Sequence, residues 1–242
     1  MSPSPTPVPC APPAYWEEAC RHLARKDRVM KRLIPQFGDA CLQSRGDAFT
    51  TLARSIVGQQ ISVKAAQTVW DRFAEVARQS KAAGASQAAS KSLSTGAVRK
   101  GTVVGAISPA HVLKLKVDDM QAAGLSARKI EYLVDLALHF DSGAIHVEAW
   151  KAMTDDEIVA ELVGIRGIGR WTAEMFLIFH LMRPNVLPLD DVGLLSGISR
   201  NYFSGDPVSR SEAREVAAAW TPYCSVATWY IWRSLDPVPV AY

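Results

Sequence analysis

The chain has 242 residues, which is enough for one sizeable domain or for two smaller units around a buried core. Its formal net charge of +3 is mildly basic, so the composition permits nucleic-acid binding without requiring it. No stretch approaches the roughly 20 consecutive apolar residues of a transmembrane helix, so no membrane span is expected.

The N-terminus and the cysteines favour a protein of the reducing cytoplasm. The chain opens with "MSPSPTPVPCAPP", which is rich in proline and lacks the features of a signal peptide, so residues 1–14 are predicted to form a disordered tail. The cysteines are scattered, without the spacing of a zinc site or a disulfide framework. They are Cys10, Cys20, Cys41 and Cys224.

Apolar residues recur with a helical period in almost every segment. The stretch "YWEEACRHLARKDRVMKRLI" predicts one N-terminal helix. Further helices are predicted to begin at side chains that cap helix N-termini. These are Asp47, Ser62, Ser126 and the pair Thr154 and Glu157. No run alternates with period two, so the predicted fold class is all-α.

One segment departs from this pattern. Residues 78–106 are rich in Ala, Ser and Gly, and no acidic residue occurs between Glu75 and Asp118. The composition favours a flexible, solvated insertion. The alternative is a basic arm that contacts phosphate groups, because every charged residue in this stretch is basic.

The stretch "ELVGIRGIGRWTAEMFLIF" combines the end of one helix, a glycine-rich turn and the start of another helix. The turn runs from Ile165 to Gly169, and Ile168 is expected to fill the apolar gap between the two helices. Two glycines so close to a helix N-terminus leave several N–H groups without helical partners, which suits a phosphate. The other interpretation is an ordinary glycine-rich corner.

The stretch "MQAAGLSARKIEYL" is a second, looser candidate for a helical hairpin. Gly124 can end one helix, and Ser126 can cap the next. Lys129 would then face a phosphate. The alternative is a simple turn between two helices.

The stretch "LVGIRGIGRWTA" resembles the helix-hairpin-helix of a DNA glycosylase superfamily, in which a Gly/Pro-rich loop and an aspartate follow the hairpin. That loop is present here as "RPNVLPLDDVGL", and "SIVGQQISVKAA" and "WTPYCSVATWYIW" extend the resemblance in the same order. The subgroup that the chain most resembles is the alkylbase glycosylases of the DNA-3-methyladenine glycosylase II type. The resemblance implies two all-α lobes with a cleft between them, formed by residues 47–183 and by residues 15–46 plus 184–242.

The resemblance assigns the chemistry to two consecutive aspartates, Asp190 and Asp191. Cleavage of an N-glycosidic bond creates positive charge on the sugar, and a nearby carboxylate stabilises that charge. The resemblance implies that Asp191 is the catalytic carboxylate and that Asp190 caps or orients the following helix. Two aspartates that only begin a helix are the alternative.

The residue after the hairpin separates two kinds of glycosylase. Bifunctional members of the superfamily carry a lysine one residue after G-x-G-[RK], and its amine forms a Schiff base with the sugar. Trp171 occupies that position, so the resemblance implies a monofunctional enzyme that uses water and leaves an abasic site. Some relatives bind an iron–sulfur cluster through four cysteines near the C-terminus; only Cys224 lies there, so no cofactor is expected.

The resemblance implies a double-stranded DNA substrate with an alkylated purine, such as 3-methyladenine or 7-methylguanine, that is flipped out of the duplex. These purines carry a positive charge that attracts aromatic faces, and the resemblance places Trp171 and Trp232 in the base pocket. It also places Gln60 as the wedge that fills the vacated space, with Gln59 bracing the loop. The alternative for both glutamines is to satisfy backbone groups of the loop.

The resemblance implies that the hairpin contacts a DNA phosphate. The residues expected to do so are Arg166, Gly167, Ile168, Gly169 and Arg170. It further implies a Na⁺ or K⁺ ion held by the backbone carbonyls of Gly164, Gly167 and Gly169. The enzyme is expected to act as a monomer in base excision repair. The alternatives are a glycosylase for deaminated or mismatched bases and a non-catalytic DNA-binding module.

Overall fold

The computed structural model describes residues 12–44, 46–88 and 107–235. Within these ranges the chain forms helices, turns and loops without a β-strand, which confirms the all-α class. The α-helices are α1 Trp16–Lys26, α2 Arg28–Leu33, α3 Ala48–Gly58, α4 Val63–Ala88, α5 Pro109–Val112, α6 Val117–Ala122, α7 Ala127–Asp141, α8 Asp155–Val163, α9 Arg170–Phe179, α10 Val192–Tyr202, α11 Arg210–Ala217 and α12 Cys224–Leu235. None of the described helices is both long enough and apolar enough to cross a bilayer.

The helix starts predicted from capping residues are confirmed. Asp47 accepts a hydrogen bond from the backbone N–H of Thr50 (2.9 Å) at the start of α3, and Ser126 caps α7. Thr154 and Glu157 form the predicted capping box of α8. Hydrogen bonds from the backbone and side chain of Thr154 lower the pKa of the Glu157 carboxyl below its ordinary value.

The prediction of one continuous N-terminal helix is wrong, because Asp27 divides it into α1 and α2. Asp27 has extended backbone (φ −136°, ψ 125°), and its Oδ1 accepts hydrogen bonds from the N–H groups of Val29 and Met30. Its Oδ2 accepts from the hydroxyl of Tyr202 (2.7 Å) and the indole N–H of Trp220 (3.1 Å). These two partners are distant in sequence, so the helical period of the segment gives no sign of the break.

The helix α4 extends to Ala88, so the segment 78–106 that was predicted to be an insertion begins within a helix. The rest of that segment, residues 89–106, lies outside the described residues. Residues 1–11 of the predicted N-terminal tail lie outside them as well. The alternative of a basic arm therefore stays a prediction.

The chain divides into two compact units. The central unit is Gly46–Ala173, and the terminal unit combines Met1–Arg45 with Glu174–Tyr242. The division falls within α9, earlier than the boundary at 183 that the sequence indicates. The last residue of α9, Phe179, belongs to the terminal unit, where its ring stacks on Trp232 with centroids 5.7 Å apart.

Each unit has its own core. In the terminal unit the core is aromatic: the rings of Trp16 and Trp229 meet edge to face at 5.3 Å, and Trp220 is fully buried. In the central unit the side chains of Leu52 in α3 and Leu133 in α7 are fully buried. The helix α7 packs against α3 and α5. It is therefore a rigid support for the loops of the central unit.

Candidate active site

Residues 164–169, here called the hairpin turn, join α8 to α9. Ile165 and Ile168 are buried, and the N–H of Ile168 donates to the carbonyl of Ile165 (3.1 Å). The helix α9 begins at Arg170, so by helix geometry its first N–H groups have no acceptor within the helix. The hairpin turn therefore presents a helix N-terminus, a position that favours an anion.

Gly167 is required in the hairpin turn by conformation and by packing. Its φ is +84°, in the region that residues with a side chain rarely adopt. A Cβ at this position would overlap the ring of Tyr132 on α7. Any side chain at position 167 must therefore displace Tyr132 or change the turn.

Carboxylates of the neighbouring helices contact both arginines of the hairpin. Asp135 accepts a hydrogen bond from the backbone N–H of Arg166 (2.8 Å), and Glu131 pairs with the Arg166 guanidinium (3.2 Å). Arg170 pairs with Asp156 at 3.5 Å. Exposed ion pairs contribute only about 0–1 kcal/mol, so a phosphate can compete with the carboxylates for either guanidinium.

Residues 59–62, here called the wedge loop, connect α3 to α4 and contain both predicted wedge glutamines. Gln60 is exposed and has φ +59°. The side-chain amide of Gln59 donates to the carbonyl of Gly167 (2.8 Å). The structure thus ties the wedge loop to the hairpin turn within the central unit.

Residues 183–191, here called the proline loop, lead to the two aspartates. Ser225, which is fully buried at the start of α12, holds this loop. Its hydroxyl donates to the carbonyl of Arg183 (2.6 Å) and accepts from the N–H of Val186 (2.9 Å). Sequence reasoning missed Ser225, because a serine in an apolar helix gives no local sign of such a contact.

Asp191 lies at the end of the proline loop and is the N-cap of α10. Its Oδ1 accepts hydrogen bonds from the backbone N–H of Leu194 (2.6 Å) and the indole N–H of Trp232 (2.7 Å). These two N–H donors fix the orientation of the Asp191 side chain at the N-terminus of α10. The structure therefore brings Asp191 and Trp232, both predicted site residues, into direct contact.

The prediction that Asp190 caps this helix is wrong. The helix α10 begins at Val192, and the N-cap is the residue directly before the first helical residue, which is Asp191. Asp190 is exposed and pairs with Arg210 of α11, with 2.6 Å between Oδ1 and Nη2. Its alternative role as an orienting residue stays a prediction.

Sequence reasoning also missed Gly193. A Cβ at Gly193 would lie 3.1 Å from Oδ1 of Asp191 and 3.2 Å from Cδ1 of Trp232. Such distances are shorter than most Cβ contacts in proteins. The lack of a side chain at Gly193 therefore allows the indole of Trp232 to approach the Asp191 carboxylate. A glycine two residues after the aspartate pair was the only sign of this in the sequence.

The two predicted base-contacting tryptophans differ in their surroundings. Trp171 is the second residue of α9, and 42% of it is exposed. Trp232 is half-buried, because its ring stacks on Phe179 with an interplanar angle of 14°. The stacking on Phe179 and the hydrogen bond to Asp191 together fix the orientation of the Trp232 ring.

The chain matches the family model described as "HhH-GPD superfamily base excision DNA repair protein" over residues 53–222. This match covers more than half of the 242 residues. The chain belongs to this superfamily. The hairpin turn, the proline loop up to the aspartate pair, and the wedge loop all lie within the matched residues.

Particular members of the superfamily are similar over most of the chain. DNA-3-methyladenine glycosylase 1 of Schizosaccharomyces pombe is 26% identical over 217 residues, which are 88% of this chain and 85% of that protein. Another relative, the protein YfjP of Bacillus subtilis, is 34% identical over 128 residues, which are 53% of this chain and only 45% of that protein.

Two solved structures have the same fold. A DNA-3-methyladenine glycosidase from Bacillus halodurans has a TM-score of 0.73 at 28% identity, covering 90% of this chain and 89% of that chain. A 3-methyladenine DNA glycosylase from Schizosaccharomyces pombe, in complex with abasic DNA, has a TM-score of 0.68 at 26% identity. That match covers 92% of this chain and 100% of the other.

Proposed function

We propose that this chain is a monofunctional DNA glycosylase that flips alkylated purines, 3-methyladenine and 7-methylguanine, out of double-stranded DNA and excises them in base excision repair. The observation that carries the proposal is the carboxylate of Asp191, which receives hydrogen bonds from Leu194 and Trp232. The similarity to relatives named DNA-3-methyladenine glycosylase supports the substrate class.

The proposed chemistry is hydrolysis of the N-glycosidic bond. The bonding electron pair leaves with the cationic base, which departs as a neutral purine. The sugar becomes positively charged, and the Asp191 carboxylate stabilises that charge. Water then forms the new bond to C1′ and loses a proton, which leaves an abasic site. Trp171 supplies no amine where a bifunctional enzyme has lysine, so strand cleavage is not part of the reaction.

The remaining predicted residues have roles in binding. The faces of Trp171 and Trp232 attract the flipped cationic base, and each such contact contributes about 0.5–2 kcal/mol. Gln60 enters the vacated space in the duplex, supported by Gln59. The backbone N–H groups of the hairpin turn, together with Arg166 and Arg170, bind a DNA phosphate.

A Na⁺ or K⁺ ion at the hairpin turn stays a prediction. Of the three carbonyls implied, that of Gly167 already accepts a hydrogen bond from Gln59, and that of Gly169 accepts one from the N–H of Ala173 (3.0 Å). The donor set therefore fits a cation only in part. No step of the proposed reaction depends on the ion.

Monomeric action and a cytoplasmic location also belong to the proposal. Within the described residues, Cys20, Cys41 and Cys224 are not joined in disulfides, which supports a reducing compartment. Each proposed catalytic and binding role is filled by residues of one chain. Sedimentation of the protein with and without DNA tests the monomer directly.

The deciding experiment measures release of free 3-methyladenine from methylated DNA. Wild type is expected to release the base, and Asp191→Asn is expected to be slower by about 100-fold or more, because it loses the charge that stabilises the transition state. Asp206→Asn, which changes an exposed carboxylate of the terminal unit, is the matched control and should behave as wild type. Unchanged release by Asp191→Asn contradicts the catalytic assignment.

The same release assay, repeated with duplexes that contain hypoxanthine or a mismatched base, separates the alternative functions. Release of hypoxanthine or of a mismatched base, but not of 3-methyladenine, supports a glycosylase for deaminated or mismatched bases. DNA binding without release of any base supports a non-catalytic module. Borohydride is expected to trap no covalent adduct with wild type, and a trapped adduct would mean that an amine elsewhere performs lyase chemistry.

A further inference from the structure

The wedge loop contains a backbone conformation that needs support from its surroundings. Gln60 has φ +59°, in the left-handed region that non-glycine residues adopt uncommonly. Such a conformation persists where the neighbouring structure holds it in place. Gln60 itself is exposed, so the support comes from the residues that flank it.

Lys129 provides this support on the N-terminal side of Gln60. Its Nζ donates to the carbonyl of Val57 at 2.7 Å. Val57 lies in the last turn of α3, where carbonyl groups have no donor within the helix. An ammonium group there satisfies the carbonyl and interacts favourably with the negative end of the α3 dipole.

The position of Lys129 in its own helix is unfavourable for a cation. Lys129 lies in the first turn of α7, where the helix dipole disfavours positive charge. Burial lowers the pKa of the Lys129 ammonium below its ordinary value, whereas the neighbouring Arg128 is exposed. The contact with α3 is therefore the interaction that favours this orientation of Lys129.

We propose that Lys129 is a positioning residue for the wedge: it fixes the end of α3 so that Gln60 meets the duplex in one conformation. On the other side of the junction, Gln59 donates to the carbonyl of Gly167 (2.8 Å). The wedge loop is thus supported on one side by the contact of α7 with the end of α3 and on the other by the hairpin turn. This inference rests on the proposed function, since the wedge acts on DNA with a flipped base.

The first part of the test compares three variants in single-turnover release of 3-methyladenine from a duplex oligonucleotide. Lys129→Met keeps an unbranched side chain only one atom shorter and removes the donor, so release is expected to slow about tenfold. Lys129→Arg keeps donors and charge and is expected to recover most of the rate. Arg128→Met removes a charge from the same turn and is expected to match wild type.

The second part asks whether Lys129 acts through Gln60. If it does, Lys129→Met causes little further loss of release rate in a protein that already carries Gln60→Ala, because the two changes are coupled. If Lys129→Met lowers the release rate equally in wild type and in Gln60→Ala, Lys129 has a general structural role and the proposal is overturned. If Lys129→Met lowers the slope of log DNA affinity against log salt by about 0.9, Lys129 contacts a phosphate, and this result also overturns the proposal.

Failure of this inference can be distinguished from failure of the proposed function. Absence of base release by wild type rejects the proposed function alone. Fluorescence of 2-aminopurine placed beside the lesion reports flipping without cleavage, and the coupling of Lys129→Met to Gln60→Ala is expected there as well. If Lys129→Met does not fold, as judged by thermal unfolding, Lys129→Leu, which also removes the donor, replaces it in the same comparison.

Discussion

The hairpin turn and the end of the proline loop are positioned in different ways. The hairpin turn is held through its main chain: Asp135 accepts from a backbone N–H, and Gln59 donates to a backbone carbonyl. Ser225 also holds the proline loop through its main chain, but Asp191 at the end of this loop is held through its own carboxylate, which accepts from the indole of Trp232. One loop fixes backbone groups in space, and the other fixes a single side chain.

This difference matches the chemistry proposed for each loop. Backbone N–H groups recognise phosphate without reading the base sequence, which suits an enzyme that acts on lesions in any sequence. A single oriented carboxylate suits the stabilisation of charge on one sugar. We therefore expect changes in the hairpin turn to weaken DNA binding, and changes around Asp191 to slow the chemical step.

The largest effect on binding is expected for Gly167→Ala. The substitution forces a side chain into a positive φ and against the ring of Tyr132, so the turn and its N–H groups must shift. Affinity for duplex DNA, measured by fluorescence anisotropy at fixed salt, is expected to fall by about tenfold or more. Gly143→Ala is the matched control, because Gly143 also has positive φ (+74°) but nothing lies near its Cβ position. Equal affinities of the two variants would refute this explanation.

An effect of comparable size, confined to the chemical step, is expected for Trp232→Phe. The variant keeps an aromatic ring but removes the indole N–H that donates to Asp191. Loss of a hydrogen bond to a charged group costs about 1.5–3 kcal/mol, which corresponds to a roughly 10- to 100-fold lower single-turnover rate. Trp150→Phe removes an indole N–H that donates to a different carboxylate, Glu161, and is expected to lower stability but not the excision rate of the folded protein.

The smallest effect is expected for Arg170→Ala. Arg170 is one of the arginines proposed to contact phosphate, and its exposed ion pair with Asp156 contributes little to stability. The slope of log affinity against log salt is expected to decrease by about 0.9, the value for one phosphate contact. Arg214→Ala on α11 is a control for the loss of an exposed arginine. An unchanged slope for Arg170→Ala would remove Arg170 from the phosphate-binding set.

The sequence predicted those features that depend on nearby residues. The capping residues and the buried Ile168 follow from patterns a few residues long, whereas the role of Asp191 was implied by the resemblance and stays a prediction. The break at Asp27 and the contact of Trp232 with Asp191 depend on partners far along the chain. Local periodicity carries no information about such partners, so the sequence predicted candidate site residues but not the contacts that hold them.

The central claim is that the hairpin turn binds DNA and Asp191 performs the chemistry. The most direct test measures both the dissociation constant and the single-turnover rate on one alkylated duplex for Asp191→Asn and Gly167→Ala. We predict that Asp191→Asn loses about 100-fold or more in rate with little change in affinity, and that Gly167→Ala loses affinity but recovers most of its rate at saturating enzyme. A wild-type rate for Asp191→Asn, or equal losses of affinity and rate in both variants, would contradict the account.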